Sequence, residues 1–398
     1  MRVYRISGDT TGLRNAIASV GCDPAALPVF GKKSEIIPVM ARGIKQSVAV
    51  IIKQEMISSK GDAAVHREAI TAGVEKTDVV LLGTVSVYED FIRKARAQGY
   101  PTLSALADEV ESIIVRGTKE IGIMKFRGKT LTMDKPRIMG IVNITPDSFY
   151  DGGRYNGTDE ALTRCREIIE QGADIVDIGG ESTRPGAEPV SLERELERVI
   201  PVIEKAAKEF DTIVSVDTYK AAVAEEALRA GAHIVNDISG LGYDPEMPGT
   251  IARYQAGAVI MHIKGTPKDM QKDPVYEDII GEMNEYFTER VALAKKHGIP
   301  ESGLMIDPGI GFGKKLEHNI AILANLESFK IHGLPVAVGA SRKSMVGMLI
   351  DREPELRLWG TMGVHVFAYY NGVNIIRVHD VKEHYDMLSI IDKMKNYS

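Results

Sequence analysis

The sequence predicts an α/β fold: a (β/α)8 barrel, the TIM barrel, preceded by a smaller α/β or α+β domain. Three observations carry this. From Arg137 onward, short runs rich in Val, Ile and Met alternate with glycine-rich or polar loops and amphipathic helical patterns. There are eight such runs, and no clear dinucleotide-type glycine fingerprint accompanies them. Alternation of this kind implies an α/β architecture. Near-continuous apolarity implies strands covered on both faces, as parallel strands are. Eight units in roughly 260 residues match a closed barrel, with an open doubly wound sheet as the alternative.

Taken in order, the strand runs are RIMGIVNIT, DIVDIGG, TIVSVDT, HIVNDIS, AVIMHIKG, LMIDPGIG, PVAVGAS and NIIRVHD. Between them lie helix patterns such as DEALTRCREIIEQGA, AAVAEEALRAGA and MNEYFTERVALAKKHG, with apolar residues at three- and four-residue spacing. Residues 1–128 read as an accessory domain of unassigned role and residues 129–398 as the barrel. In the first domain, IIPVMARGIKQSVAVIIKQEMISS and KTDVVLLGT suggest a small α/β or α+β unit, ADEVESIIVRG a helix, and GIMKFRGKTLTMDKP a strand or hairpin linking it to the barrel. Near the middle of that domain Asp62 and His66 lie close together. A helix capped by Asp62 is the plainer reading, and a second small-ligand site the sharper one.

Composition bounds the function. The chain is 44% hydrophobic and 26% charged with a formal net charge of −6, which speaks against nucleic-acid binding but leaves room for small anionic substrates held by local cations. The amino-terminal stretch has no apolar signal core, and no run of about 18 apolar residues suggests a membrane span. A cytoplasmic enzyme is expected. Cys22 and Cys165 have no metal-type spacing and read as small buried hydrophobes.

Barrel active sites lie at the carboxyl ends of the strands. Here every strand run ends in polar groups: Asn143; Asp177; Asp217; Asn236 and Asp237; Met261 with His262; Asp307; Ser341, Arg342 and Lys343; Arg377, His379 and Asp380. Asp217, Asn236, Asp307 and Lys343 could supply acceptors and donors to a flat heterocycle, because a carboxylate accepts two N–H groups from a guanidine-like ring edge. Arg377 and His379 stand two apart on one strand and share a face, so with Asn143 they form an anion clamp. A diphosphate there would recruit Mg2+, which favours oxygen ligands, and Asn143 can offer one. The loops after the first two strands are expected to act as lids. An aspartate at a strand end is also an ordinary helix cap, a description that suits Asp177 and Asp237 best. Arg342 and Lys343 sit where the helix dipole disfavours cations, which points to a ligand. GIGFGK lacks phosphate-loop spacing and reads as a tight loop presenting Phe312. His365 reads as a packed helix residue and His384 as a surface one.

In their order along the chain, NITPDSFYDGG, DIGGESTRPGA, SVDT, NDISG, MHIKGTP, DPGIGFGK, GASRKSMVG and RVHDV resemble the dihydropteroate synthase family. The resemblance covers roughly residues 136–385. It implies a transferase that joins 6-hydroxymethyl-7,8-dihydropterin diphosphate to 4-aminobenzoate, with Mg2+ as cofactor. It implies that Asp217, Asn236, Asp307 and Lys343 grip the pterin, that Met261 lines its pocket, and that Asn143, Arg377 and His379 hold the diphosphate, with Mg2+ at Asn143. Thr183, Arg184, Pro185, Phe149, Asp151, Phe312, Lys343 and Ser344 would form the aminobenzoate site. Lys343, Arg377, His379, Asp151 and Arg184 are the expected catalytic groups. Asp177 is a substrate-binding candidate with a supporting role as its alternative, and Glu181 receives no role. Members of the family are commonly homodimers through barrel helices. The competing reading is a pterin-dependent methyltransferase acting on a corrinoid protein; a non-catalytic pterin-binding protein is a third.

Overall fold

The computed structural model describes residues 10–119, 121–144 and 157–395. The chain divides into two compact units, Met1–Lys119 with Ile391–Ser398, and Glu120–Ile390.

In the first unit, strands β1 (Ile37–Lys45), β2 (Asp62–Val65) and β3 (Lys76–Gly83) form an antiparallel sheet in the order β1-β3-β2. Alternate residues Val39, Ala41, Val79 and Leu81 face a core shared with Ile52 and Met56 of helix Gln46–Ser58, Tyr88 and Phe91 of helix Val85–Ala97, and Leu103 of helix Pro101–Gly117. The Tyr88 hydroxyl donates to the Ile37 carbonyl at 2.6 Å, so burying this ring leaves no unpaired polar group. Antiparallel strands with helices make the unit α+β. Asp62 does not cap a helix: it opens β2, and its carboxylate accepts from the Ala63 amide at 2.7 Å. Cys22 is only half-buried, whereas Cys165 is buried as expected.

The second unit begins with a hairpin, β4 (Ile123–Phe126) and β5 (Lys129–Thr132). Eight parallel strands follow: β6 (Arg137–Asn143), β7 (Ile175–Gly179), β8 (Ile213–Asp217), β9 (Ile234–Asp237), β10 (Gly257–Met261), β11 (Leu304–Asp307), β12 (Ala337–Val338) and β13 (Ile375–Val378). They run β11-β10-β9-β8-β7-β6-β13-β12, and a parallel bridge between Ile306 and Val336 closes the ring. Each strand is followed by a helix, from Gly157–Glu170 after β6 to Val381–Lys395 after β13. This is the expected barrel, with all eight strands where the apolar runs placed them.

The division falls at Lys119 and Glu120 rather than at 128 and 129, because the hairpin is a plug and not a linker. Its Met124, Phe126 and Leu131, with Met133, join one inward residue from each strand: Met139, Ile175, Ile213, Ile234, Val259, Met305, Ala337 and Ile375. That cluster seals the amino-terminal end of the barrel. Gly257 has no side chain because Phe126 lies there; an added Cβ would sit 2.4 Å from its ring.

Candidate active site

The strand period of two converts this apolar floor into a polar chamber. Two residues beyond each floor residue, the inward positions are Ile141, Asp177, Ser215, Asn236, Met261, Asp307, Gly339 and Arg377. One step further toward the carboxyl rim come Asn143, Gly179 and Asp217 on neighbouring strands, in register. Outward residues of the same strands, such as Val176, Ile178, Val214 and Val216, are fully buried beneath the helices. Each strand is therefore apolar nearly throughout yet ends in chemistry.

Arg377 organises one side of the chamber. Its Nε donates to Asp177 Oδ2 and its Nη2 to Asp217 Oδ2, each at 2.6 Å. Asn236 Nδ2 donates to the same Asp177 oxygen at 3.0 Å. Asp177 is 0% exposed, so its carboxylate faces Arg377 and Asn236 and not solvent. Its position is that of a group which aims those two side chains. Burial raises the pKa of Asp217, an effect that Arg377 opposes and Asp177 reinforces. Asp237 points the other way, accepting from the Ser239 and Leu241 amides at 2.8 and 3.0 Å; it shapes a turn and is not the helix cap expected of it, since the next helix starts only at Met247.

Asp307 and Lys343 organise the opposite side. The Gly309 amide donates to Asp307 Oδ1 at 2.7 Å, leaving Oδ2 for other partners. Gly309 has φ +65°, and an added Cβ would lie 2.1 Å from the His262 carbonyl oxygen, so only glycine lets this loop approach β10. The Lys343 ammonium donates to the Ile310 carbonyl and stands 4.3 Å from the centre of the Phe312 ring, a cation–π contact. Burial pushes Lys343 down to about 8, against the pull of the Asp307 carboxylate. Arg342 is different: its Nε donates to Asp380 Oδ2 at 3.0 Å, which places it in a structural ion pair.

His379 completes the rim. Burial first, then Arg377 and Arg342, lower its imidazole to about 4, so at neutral pH it is an uncharged donor and not a cation. Ser341 Oγ accepts from the His379 amide at 3.2 Å and lies 3.0 Å from Nδ1. If the hydroxyl donates to Nδ1, the ring proton rests on Nε2. In the loop after β7, Thr183 is half-buried, while Arg184 and Pro185 are exposed; Arg184 is near enough to contribute to the lowering at His379. Ser344 is exposed at the start of helix Ser344–Ile350. Phe149 and Asp151 lie outside the described residues.

A model of the family described as "Pterin binding enzyme" matches residues 139–379. The dihydropteroate synthase of Escherichia coli K12 is 46% identical over 266 residues, 67% of this chain and 94% of that protein. The chain belongs to the dihydropteroate synthase family. A solved dihydropteroate synthase of Xanthomonas albilineans, with 4-aminobenzoic acid, is 41% identical with a TM-score of 0.66, covering 69% of this chain and 98% of that one. A Haloferax volcanii protein described as a probable bifunctional folylpolyglutamate synthase/dihydropteroate synthase is 38% identical over 350 residues, 85% of this chain and 41% of that protein. That match is longer than the barrel unit, so it reaches into the first unit.

Against this dihydropteroate synthase framework, two groups of residues stand out to which sequence reasoning gave no role. Lys314, the last residue of DPGIGFGK, is buried, and its ammonium meets three acceptors: Phe312 O at 2.8 Å, His262 Nδ1 at 2.9 Å and His262 O at 3.1 Å. It ties the Phe312 loop to the end of β10; burial pushes its pKa well below the ordinary value. Its only signal in the sequence was a lysine inside a loop too glycine-rich to be an ordinary surface turn. The second group, Glu181, Tyr219, Lys220 and Glu195, joins three segments, and no local spacing announces it. One expectation is corrected outright. His384 is not on the surface; it is fully buried, with Nε2 2.9 Å from His365 Nδ1.

Proposed function

We propose that the chain transfers the pterinylmethyl group of 6-hydroxymethyl-7,8-dihydropterin diphosphate to the amine of 4-aminobenzoate, giving 7,8-dihydropteroate and diphosphate. The observation that carries this is the chamber in which Asp177, Asp217 and Arg377 face Asp307 and Lys343 above an apolar floor. Asp217, Asn236 and Asp307 present acceptors for the N–H groups of a flat heterocycle, and Lys343 presents a donor. Asp177 aims Arg377 and Asn236. Arg377, the His379 imidazole and Asn143 are the groups for diphosphate, and the loop of Thr183, Arg184 and Pro185, with Phe312 and Ser344, is the side from which the second substrate enters.

The carbon–oxygen bond to diphosphate breaks and a carbon–nitrogen bond to the aryl amine forms, with one proton released from nitrogen. Because an aryl amine attacks in its neutral form, no strong general base is needed. The residues contribute placement, spread of the leaving group's charge and exclusion of competing water. Among the described residues no cluster of three or more His, Cys, Asp or Glu side chains could hold a metal. Asn143, at the end of β6, would hold Mg2+ through its neutral side-chain oxygen, a donor type that suits this hard ion. When bound, the ion would neutralise leaving-group charge.

The protein acts in the cytoplasm on small molecules, without nucleic-acid or membrane partners; a formal net charge of −6 lacks the basic footprint of a nucleic-acid binder. A homodimer is part of the same proposal. Trp359 (77% exposed), Phe367 and Tyr370 of helix Leu358–Tyr370, with Met348 and Leu349 of Ser344–Ile350, leave large apolar side chains in solvent.

Calorimetric titration of pterin diphosphate into wild type, Arg377→Ala and Asp307→Ala tests the assignment. Both substitutions should weaken binding and turnover severely. Unchanged binding and turnover in both would refute it.

A further inference from the structure

We propose that Lys220 and Glu181 are positioning residues that pin the base of the loop carrying Thr183 and Arg184, and thereby set the enzyme's grip on its amine substrate. This rests on the functional reading above.

The Lys220 ammonium reaches both ends of that loop. At one end it donates to the carboxylate of Glu181, two residues beyond Gly179, the last residue of β7. At the other it donates to the Val190 carbonyl at 2.9 Å, one residue before Ser191 caps helix Leu192–Glu209. Its third partner is Glu195 Oε2 at 2.5 Å, in the first turn of that helix. Tyr219 donates to the other Glu181 oxygen at 2.6 Å. Residues 182–189 are thus a span whose two ends meet on one nitrogen. Within the span and beyond it the backbone is held lightly, by Ala187 N to Arg184 O and by Gly186 N to Pro267 O, each 3.0 Å.

Burial says that this is more than a surface ion pair. The side chains of Glu195 and Glu181 are 1% and 7% exposed, and that of Lys220 is 20% exposed. Two carboxylates on one ammonium are an expensive way to fill space, since apolar packing of the same volume is often at least as stabilising. What the arrangement supplies is direction: the ammonium has three donors and each has a different segment to hold. Tyr219 and Lys220 also follow Asp217 by two and three residues, so the pin is continuous with the strand end assigned to the pterin. Asp217 itself is held by Arg377 and not by Lys220, so loosening the pin falls on the loop.

The test uses full-length protein with Lys220→Met, Glu181→Gln and Lys220→Arg. Lys220→Met and Glu181→Gln should raise KM for 4-aminobenzoate about tenfold or more, with KM for pterin diphosphate within about twofold, because loss of orientation falls on the loop. Lys220→Arg, which keeps the charge and several donors, should recover most of the loss. Hydrogen exchange of the peptide spanning 182–188 should accelerate in the first two variants and not in the third. Equal rises in both KM values, or unchanged exchange in that peptide, would overturn the proposal in favour of a simple fold staple. Wild-type protein that forms no dihydropteroate would overturn the functional reading instead, and the exchange measurement would still decide whether Lys220 pins the loop.

Discussion

The guanidinium of Arg377 is shared between the carboxylates of Asp177 and Asp217, at 2.6 Å from each. The sequence places these three groups on three strands, 160 and 200 residues apart, and the closed barrel makes them neighbours. Both carboxylates are buried, and Asp217 lies one inward position nearer the rim than Asp177, so the pair fixes the guanidinium at two of its nitrogens.

Asp177→Ala removes the acceptor of both Arg377 Nε and Asn236 Nδ2. It should destabilise the protein by about 3 kcal/mol, near the lower end for breaking a buried ion pair, because Asp217 still holds Arg377. Denaturant unfolding of wild type and variant measures this directly; a change under about 0.5 kcal/mol, within the range of ordinary surface substitutions, would contradict it.

Lys343 should set an alkaline limit on the reaction. Its pKa is lowered to about 8, chiefly by burial, so the ammonium is present below that value and lost above it. The rate at limiting pterin diphosphate should therefore fall as pH rises through about 8, and Lys343→Arg should abolish that fall even if it slows the reaction. A flat wild-type profile to pH 9.5 would show that the Lys343 charge is not required.

The buried His365–His384 pair makes stability depend on acid. Burial lowers both imidazoles, so the folded state favours their neutral forms while the unfolded chain takes up protons near 6.5. The resulting stability is complete above pH 6.5 and is lost progressively as pH falls below it, by up to about 1.4 kcal/mol per pH unit for each group. Melting curves should show His384→Gln with a shallower loss than wild type between pH 6.5 and 5; parallel slopes would place the acid sensitivity elsewhere.

Phe126 tests the plug. Truncation to Ala should cost about 3–5 kcal/mol, as for a fully buried aromatic ring, yet leave KM for both substrates unchanged in the fraction that remains folded, since the plug lies at the opposite end from the chemistry. A selective loss of substrate affinity would contradict that separation.

Much of this was legible before any coordinates. The eight strands were readable because burial on both faces makes each run apolar, and their ends were readable because polar groups interrupt that apolarity at the carboxyl end of each unit. Asp307, Asp217 and Lys343 could be singled out on those grounds. What could not be read were contacts made at a distance. Lys220 on its own is an ordinary cation before a helix, and only folding brings Glu181, Val190 and Glu195 to it. His384 looked like a surface histidine because Lys382, Glu383 and Asp386 surround it in sequence, and its burial depends on where His365 lies on another helix. The hairpin looked like a linker since its four apolar side chains alternate with Lys and Thr, a pattern that says one face is covered without saying by what.

The central claim is the reaction. Purified protein given pterin diphosphate, 4-aminobenzoate and Mg2+ should form dihydropteroate and diphosphate in equal amounts. Retained pterin binding with neither product, or transfer of a methyl group to a corrinoid protein in place of amine condensation, would contradict the account.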